Sequence, residues 1–394
     1  MTAAVNPSLA AQAADALLAR NAGAAAFFAA AAPAIAATSR AMAERFARGG
    51  RLYAFGRGAT VSDAQHVAVE FVHPVIVGKR ALPAVDISCF DATAVATLLG
   101  PDDMVIGVDL PGGNAEVRSA LESARTRGNL VIDPLGGTAT AGLVAAAAAF
   151  VAQEWAEVYY HTLWETVHVF LERRPRGHDV GSAAFLYPFL GTAEQDDTGL
   201  LDEVAASILI KVQDDADLRR QVAESEADAI AAAVAILAER VAGGGTIHVF
   251  GNGGSATDAN DLAFDCVSPP EGMRPIAALS LASDAATITA VANDVGNDLI
   301  FVRQLIAHAR AGDVVVGIST SGGSRNVVAA LEQARKQGLP TIALLGYDGG
   351  EIRRRGLADA AIVIHSDYIP RIQEVQASVY HIMRDLLEES HAKD

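Results

Sequence analysis

Short apolar runs alternate with longer helical stretches along the whole chain. Residues 8 to 48 carry a long helical pattern that ends at Gly49-Gly50. Arg51-Leu52-Tyr53-Ala54-Phe55 reads as a strand, and the turn Gly56-Arg57-Gly58-Ala59-Thr60 leads into a helix through about Phe71. Further strands are predicted at Ala84 to Ile87, Met104 to Val108 and Leu130 to Ile132, with helices at Glu116 to Arg127 and Gln153 to Glu172. Strands alternating with helices at these lengths predict a parallel sheet with helices on both faces. Residues 173 to 200, rich in Gly, Pro and charge, mark a boundary.

Beyond the boundary the pattern repeats. Gly49 to Gly56 is matched by Gly244 to Gly251, and Asp63-Ala64 by Asp258-Ala259. Val105-Ile106-Gly107 is matched by Val315-Val316-Gly317, and Asp109 to Asn114 by Ser319 to Ser324. Gln153-Glu154 and Tyr160-His161 return as Gln373-Glu374 and Tyr380-His381 with the same internal spacing. A repeat this long predicts a duplicated α/β domain: residues 1–172, a linker 173–200, and residues 201–394.

Composition narrows the function classes. Among 394 residues, 51% are hydrophobic and only 6% aromatic, with much of the apolar content in alanine, which suits helices packed around a sheet. A formal net charge of -17 argues against nucleic acid as a direct ligand. An anionic substrate must therefore be held by a local device. The two cysteines, Cys89 and Cys266, lie far apart without metal-type spacing, and a reducing cytoplasm is the expected compartment. Ala22 to Ala37 is apolar but contains Pro33 and is shorter than the ~20 residues of a membrane span, so it is expected to be packed helix in a soluble protein.

Two loops carry the candidate anion site. Ile247 to Phe250 runs into Gly251-Asn252-Gly253-Gly254-Ser255, where glycines let several N–H groups point at one spot beside a helix start. It is neither the Rossmann fingerprint nor a Walker loop, and no nucleotide cofactor is expected. Ser319-Thr320-Ser321-Gly322-Gly323-Ser324 brings four hydroxyls to the start of a helix at Asn326 to Lys336. That suits a phosphate monoester at the carboxyl end of the sheet.

These loops, with Val291-Ala292-Asn293-Asp294 and Arg371-Ile372-Gln373-Glu374 followed by His381, resemble the sugar isomerase (SIS) family, and within it the sedoheptulose 7-phosphate (phosphoheptose) isomerases. The likeness is close over residues 235 to 390 and weaker over 40 to 172. It implies two tandem SIS domains, each a doubly wound five-stranded parallel sheet flanked by helices. It implies phosphate and substrate contacts at Asn252, Gly253, Ser255, Ser319, Thr320, Ser321, Ser324, Asp294 and Gln373. The family's glutamate and histidine fall on Glu70 and His161 in the first half and on Asp265 and His381 in the second. Some members hold zinc, which implies His66, Glu70, Gln153 and His161 as ligands, with Asp261, Asp265, Gln373 and His381 as the second-half counterparts. Family sites lie at subunit interfaces of a tetramer, so two copies of this doubled chain are expected to pair.

Helix geometry agrees with that mapping. His66 and Glu70 stand one above the other at i,i+4, and Gln153 and His161, eight apart, share a face to within about 80°. Imidazole, carboxylate and amide oxygen suit zinc or a similar divalent ion.

The halves diverge. Asp109, Pro111 and Asn114 stand where Ser319, Ser321 and Ser324 do, and the Asp109 carboxylate would repel a phosphate unless Arg57 offsets it. In the second half the loops are intact but the base is Asp265, and Pro370 replaces the family's acidic substrate contact. Either the second half works alone, or the first half lends His66, Glu70 and His161. The expected activity is aldose–ketose isomerisation of a sugar phosphate. A non-catalytic sugar-phosphate regulator or scaffold and an amino-sugar phosphate isomerase are the alternatives.

Overall fold

A computed structural model describes residues 7–75, 79–172 and 197–391. The chain divides into two compact units, residues 22–214 and residues 1–21 with 215–394. Most of the expected linker, 173–200, lies outside the described residues. Residues 7–21, which the sequence pattern groups with the first half, count with the second unit, where Ala13 and Leu17 are buried beside Leu218, Val222 and Ile230.

The first unit contains most of α1 (Pro7–Ala47), then β1 (Leu52–Phe55), α2 (Thr60–Val72), β2 (Ala84–Asp86), α3 (Ala92–Leu98), β3 (Met104–Gly107), α4 (Ala115–Thr126), β4 (Leu130–Ile132), α5 (Ala141–Ala146) and α6 (Ala149–Leu171). It also takes the start of α7 (Asp197–Ser225). The second unit continues with α8 (Ala227–Ala242), β5 (Ile247–Phe250), α9 (Gly254–Val267), β6 (Ala278–Ser280), α10 (Ala285–Asp294), α11 (Ile300–His308) and β7 (Val314–Ser319). It closes with α12 (Arg325–Lys336), β8 (Thr341–Gly346), α13 (Gly350–Arg354), β9 (Ala360–Ile364) and α14 (Ile369–His391).

Both sheets are parallel, with orders β2-β1-β3-β4 and β6-β5-β7-β8-β9. The first sheet therefore has four strands among the described residues rather than the expected five. Only residues 133–148 separate β4 from α6, whereas 347–368 separate β8 from α14 and include β9. The shorter stretch is alanine-rich and forms α5, so β4 ends the sheet and Leu130 and Val131 stay only half-buried.

Each sheet buries both faces, and alternate residues go to opposite sides. Val249, Val316, Ile342 and Ile362 pack with α8, α9 and α14, while Phe250, Val315, Ala343 and Val363 pack with α11 and α12. In the first unit Leu52, Ala54, Met104 and Ile106 share one core with α1 and α6, and Tyr53, Phe55 and Val105 the other with α3 and α4. α1 is long and apolar enough to cross a membrane, yet Phe27, Phe28, Ile35 and Met42 are buried in this core, and Phe27 stacks on Trp155 at 5.0 Å.

This order places the site. From β5 the chain steps to β6 on one side and later returns through β7 on the other. The carboxyl ends of β5 and β7 therefore flank a switch point, where a crevice opens between diverging crossovers.

Candidate functional site

The loops after β5 and β7 lie side by side at that switch point, since Phe250 pairs with Gly317. Gly251 is required there: a Cβ would come 2.3 Å from the Ser255 carbonyl oxygen. Asn252 and Asn326 exchange amide hydrogen bonds of 2.9 and 2.8 Å, which ties the glycine loop to the first turn of α12. Gly322 packs against the loop after β8, where a Cβ would meet the Gly349 oxygen at 2.2 Å, and its carbonyl accepts from Ile352 N–H at 2.9 Å.

Ser324 precedes α12 but its side chain makes no capping bond to the helix; its hydroxyl lies 3.2 Å from that of Ser319. α9 likewise opens on Gly253, which has no side chain to cap with. Two helix starts thus present N–H dipoles at one crevice rimmed by hydroxyls, an arrangement that suits an anion.

Within the same unit α9 and α14 bring a second group together. His381 Nε2 lies 3.5 Å from Asp261 Oδ2 and 3.3 Å from Asp265 Oδ2, and all three residues are buried. Burial and the neighbouring Asp261 carboxylate push Asp265 up to about 7, against the pull of His381. A carboxyl group poised there can exchange a proton near neutral pH. Asp261 also accepts the Tyr380 hydroxyl at 2.9 Å. Gln373 is buried and its Oε1 has no hydrogen-bond partner among the described residues, which suits a ligand or metal ion.

The first unit repeats the constellation with a different donor set. His66 and Glu70 on α2 meet His161 on α6, with His66 Nε2 3.2 Å from His161 Nε2 and 3.9 Å from Glu70 Oε1. Each residue places one donor atom within 4.8 Å of the others, as do Asp261, Asp265 and His381, so either trio could hold a metal ion. Two imidazole nitrogens aimed at each other beside a buried carboxylate fit a divalent cation. Gln153, the expected fourth ligand, donates its amide N–H to Asp63 at 3.1 Å.

The strand-end loops of this unit are closed by their own side chains. Asn114 caps α4, accepting from Glu116 and Val117 N–H at 2.9 and 3.3 Å. Asp109 accepts from Asn114 N–H at 2.5 Å and pairs with Arg118 at 3.0 Å. Arg57 does not offset that carboxylate as expected. Its guanidinium lies over the Phe55 ring at 4.4 Å, donates to the carbonyls of Gly56, Ser88 and Phe90, and pairs with Glu116 at 2.7 Å.

A family model described as the SIS domain matches residues 212–346, which include both loops of the cradle. The phosphoheptose isomerase of Citrifermentans bemidjiense is 47% identical over 161 residues, 41% of this chain and 83% of that protein. The phosphoheptose isomerase of Geobacter sulfurreducens is 43% identical over 190 residues, 48% of this chain and 97% of that protein. The chain belongs to the SIS-domain family. The C-terminal domain of glucosamine-fructose-6-phosphate aminotransferase from Francisella tularensis superposes with a TM-score of 0.55, over 92% of this chain and 94% of its own, at 9% identity. That likeness is one of fold.

Against this SIS frame, the residues singled out in the sequence fall into separate groups. Asn252, Gly253, Ser255, Ser319, Thr320, Ser321 and Ser324 lie on the two adjoining loops and the helix starts they lead into. Asp261, Asp265, Gln373 and His381 lie on α9 and α14, and His66, Glu70, Gln153 and His161 on α2 and α6. Asp294 stands exposed at the end of α10, its carboxylate bonded to the Asn293 amide at 2.8 Å. Sequence reasoning passed over Asn326, Asp63 and the phenols of Tyr160 and Tyr380. The Tyr-His pair recurring in both halves was the signal for the last two.

Proposed function

We propose that the protein is an aldose–ketose isomerase of a sugar phosphate, with sedoheptulose 7-phosphate and D-glycero-D-manno-heptose 7-phosphate as the closest pair. The observation that carries this reading is the hydroxyl-rimmed cradle in the same unit as the buried Asp265–His381 pair. The names of the relatives support it. The substrate phosphate would take the N–H groups of α9 and α12 and the hydroxyls of Ser319, Ser321 and Ser324.

With the phosphate fixed there, the chemistry is proton transfer at the carbonyl end of the sugar. Asp265 as carboxylate takes the proton from one carbon of the C1–C2 pair and returns it to the other through an enediol. His381 carries the oxygen proton in the opposite sense. Glu70 and His161 are the matching pair of the first unit. A divalent ion such as zinc, were it held by Asp261, Asp265 and His381, would supply positive charge for the developing enediolate, and His66, Glu70 and His161 could hold one within their own unit.

The direct test supplies the purified protein with zinc and sedoheptulose 7-phosphate and follows aldose formation. Turnover that drops by about 10²–10⁴-fold in Asp265→Asn is expected. Absence of any ketose–aldose interconversion by the unaltered protein refutes the isomerase reading. Asp265 in place of glutamate and Pro370 in place of an acid favour a second reading, a sugar-phosphate-binding regulator. Thermal stabilisation by sugar phosphates without turnover would mark that case.

A further inference from the structure

In both units a tyrosine directly precedes the histidine of the buried trio and reaches back to the residue that opens the i,i+4 pair. Tyr160 Oη lies 3.3 Å from His66 Nδ1, and Tyr380 Oη lies 2.9 Å from Asp261 Oδ2. The Tyr160 ring stands 5.3 Å from the His66 ring and 5.2 Å, edge-on, from that of His161, and all three residues are buried.

A neutral imidazole carries one proton on its two nitrogens, and a metal can take only the bare one. His66 Nε2 is the nitrogen facing both His161 Nε2 and Glu70. For Nε2 to be bare, the proton must sit on Nδ1, and a buried N–H needs an acceptor. Tyr160 Oη lies within hydrogen-bond distance of Nδ1, at 3.3 Å.

We propose that Tyr160 is a positioning residue: it accepts the Nδ1–H of His66, fixes that tautomer, and so presents Nε2 as a metal ligand. Tyr380 acts differently in the other unit, because its hydroxyl donates to the Asp261 carboxylate rather than accepting from an imidazole N–H. This inference rests on the reading of His66, Glu70 and His161 as a metal centre.

The test titrates metal-free protein with Zn²⁺ and Co²⁺ and records proton spectra of the cobalt-loaded form. Unaltered protein should show a slowly exchanging, hyperfine-shifted N–H from His66. Tyr160→Phe should lose that signal and about 10–100-fold in metal affinity, the usual effect of removing a ligand's hydrogen-bond partner, while its melting temperature without metal stays close to the original. Tyr380→Phe should keep the signal. Unchanged affinity and an unchanged signal in Tyr160→Phe overturn the role of Tyr160 but leave the metal centre standing. Absence of the shifted N–H from unaltered, cobalt-loaded protein overturns the role of Tyr160 even if the variant fails to fold. Failure of unaltered protein to bind either ion overturns both.

Discussion

Ser324 and Asn114 occupy the same place in two copies of one strand-loop-helix unit, directly before α12 and α4. Asn114 folds its side chain onto the first turn of its helix and satisfies two N–H groups. Ser324 makes no capping bond and turns its hydroxyl toward Ser319, and on its first turn it is Asn326 Oδ1 that accepts from Val327 N–H, at 3.0 Å. The residue at the strand end follows suit. Asp109 is bonded to Asn114 and Arg118 within its own loop, whereas Ser319 keeps a hydroxyl at the crevice. One copy has closed its strand-end loop with its own groups, and the other keeps two hydroxyls there that do not cap its helix. A loop that binds a ligand must leave polar groups unsatisfied until the ligand arrives, and a loop that only holds a fold need not.

The sharpest way to break this comparison is to write the first unit's residue into the second. Ser319→Asp places a carboxylate against the phosphate; like charges about 4 Å apart cost ~1 kcal/mol in water and ~4 kcal/mol near a protein surface. Calorimetric titration with a sugar phosphate should then show about 10- to 10³-fold weaker binding. An unchanged dissociation constant would move the phosphate away from this loop.

A smaller effect concerns the paired acids of the second unit. Asp265 stays protonated in the folded chain up to about pH 7, because burial and Asp261 disfavour its charge. The unfolded chain releases that proton near pH 4. Its contribution to stability is therefore full below pH 4 and is lost as pH rises from 4 through 7, by at most about 1.4 kcal/mol per unit. Metal-free protein should melt progressively lower over this range, and Asp265→Asn should flatten the slope. Equal slopes for the two proteins would contradict the burial argument.

The smallest effects should trade places between the two helix starts. Asn114→Ala removes a cap and should cost about 1 kcal/mol of stability without altering phosphate affinity. Ser324→Ala should leave stability nearly unchanged and weaken phosphate binding by ~1 kcal/mol, about fivefold. Denaturant melts and phosphate titrations of both variants check the exchange, and any variant that moves both quantities contradicts it.

Much of this was legible in the chain itself. β4 and β5 run over the residues their apolar patterns predict, and most of the other predicted strands and helices fall within a residue or two, whereas elements such as α3, β6, β8 and β9 were not predicted. The loops at Gly251 and Ser319 were recognisable because glycine and hydroxyl residues at a strand end act over a few positions. His66 and Glu70 could be paired because one helix turn separates them. The role of Arg57 could not be read, because its partners at Ser88 and Glu116 lie 31 and 59 residues away. The Asn252–Asn326 tie spans 74 residues, and the Tyr160–His66 contact 94. That the first sheet has four strands among the described residues is a matter of chain length between β4 and α6, which the repeat obscured by its regularity elsewhere.

The sequence by itself determined the doubled α/β plan, the glycine and hydroxyl loops after β5 and β7 and the types of residue in each buried trio. Those follow from hydrophobic period and turn chemistry, which are short-range. Only the tertiary structure decided which polar groups are closed off by neighbours and which remain available. That separates the self-capped start of α4 from the start of α12, where Ser324 makes no capping bond. The reason is that hydrogen bonds are settled by proximity in space, and their partners come from elements far apart along the chain.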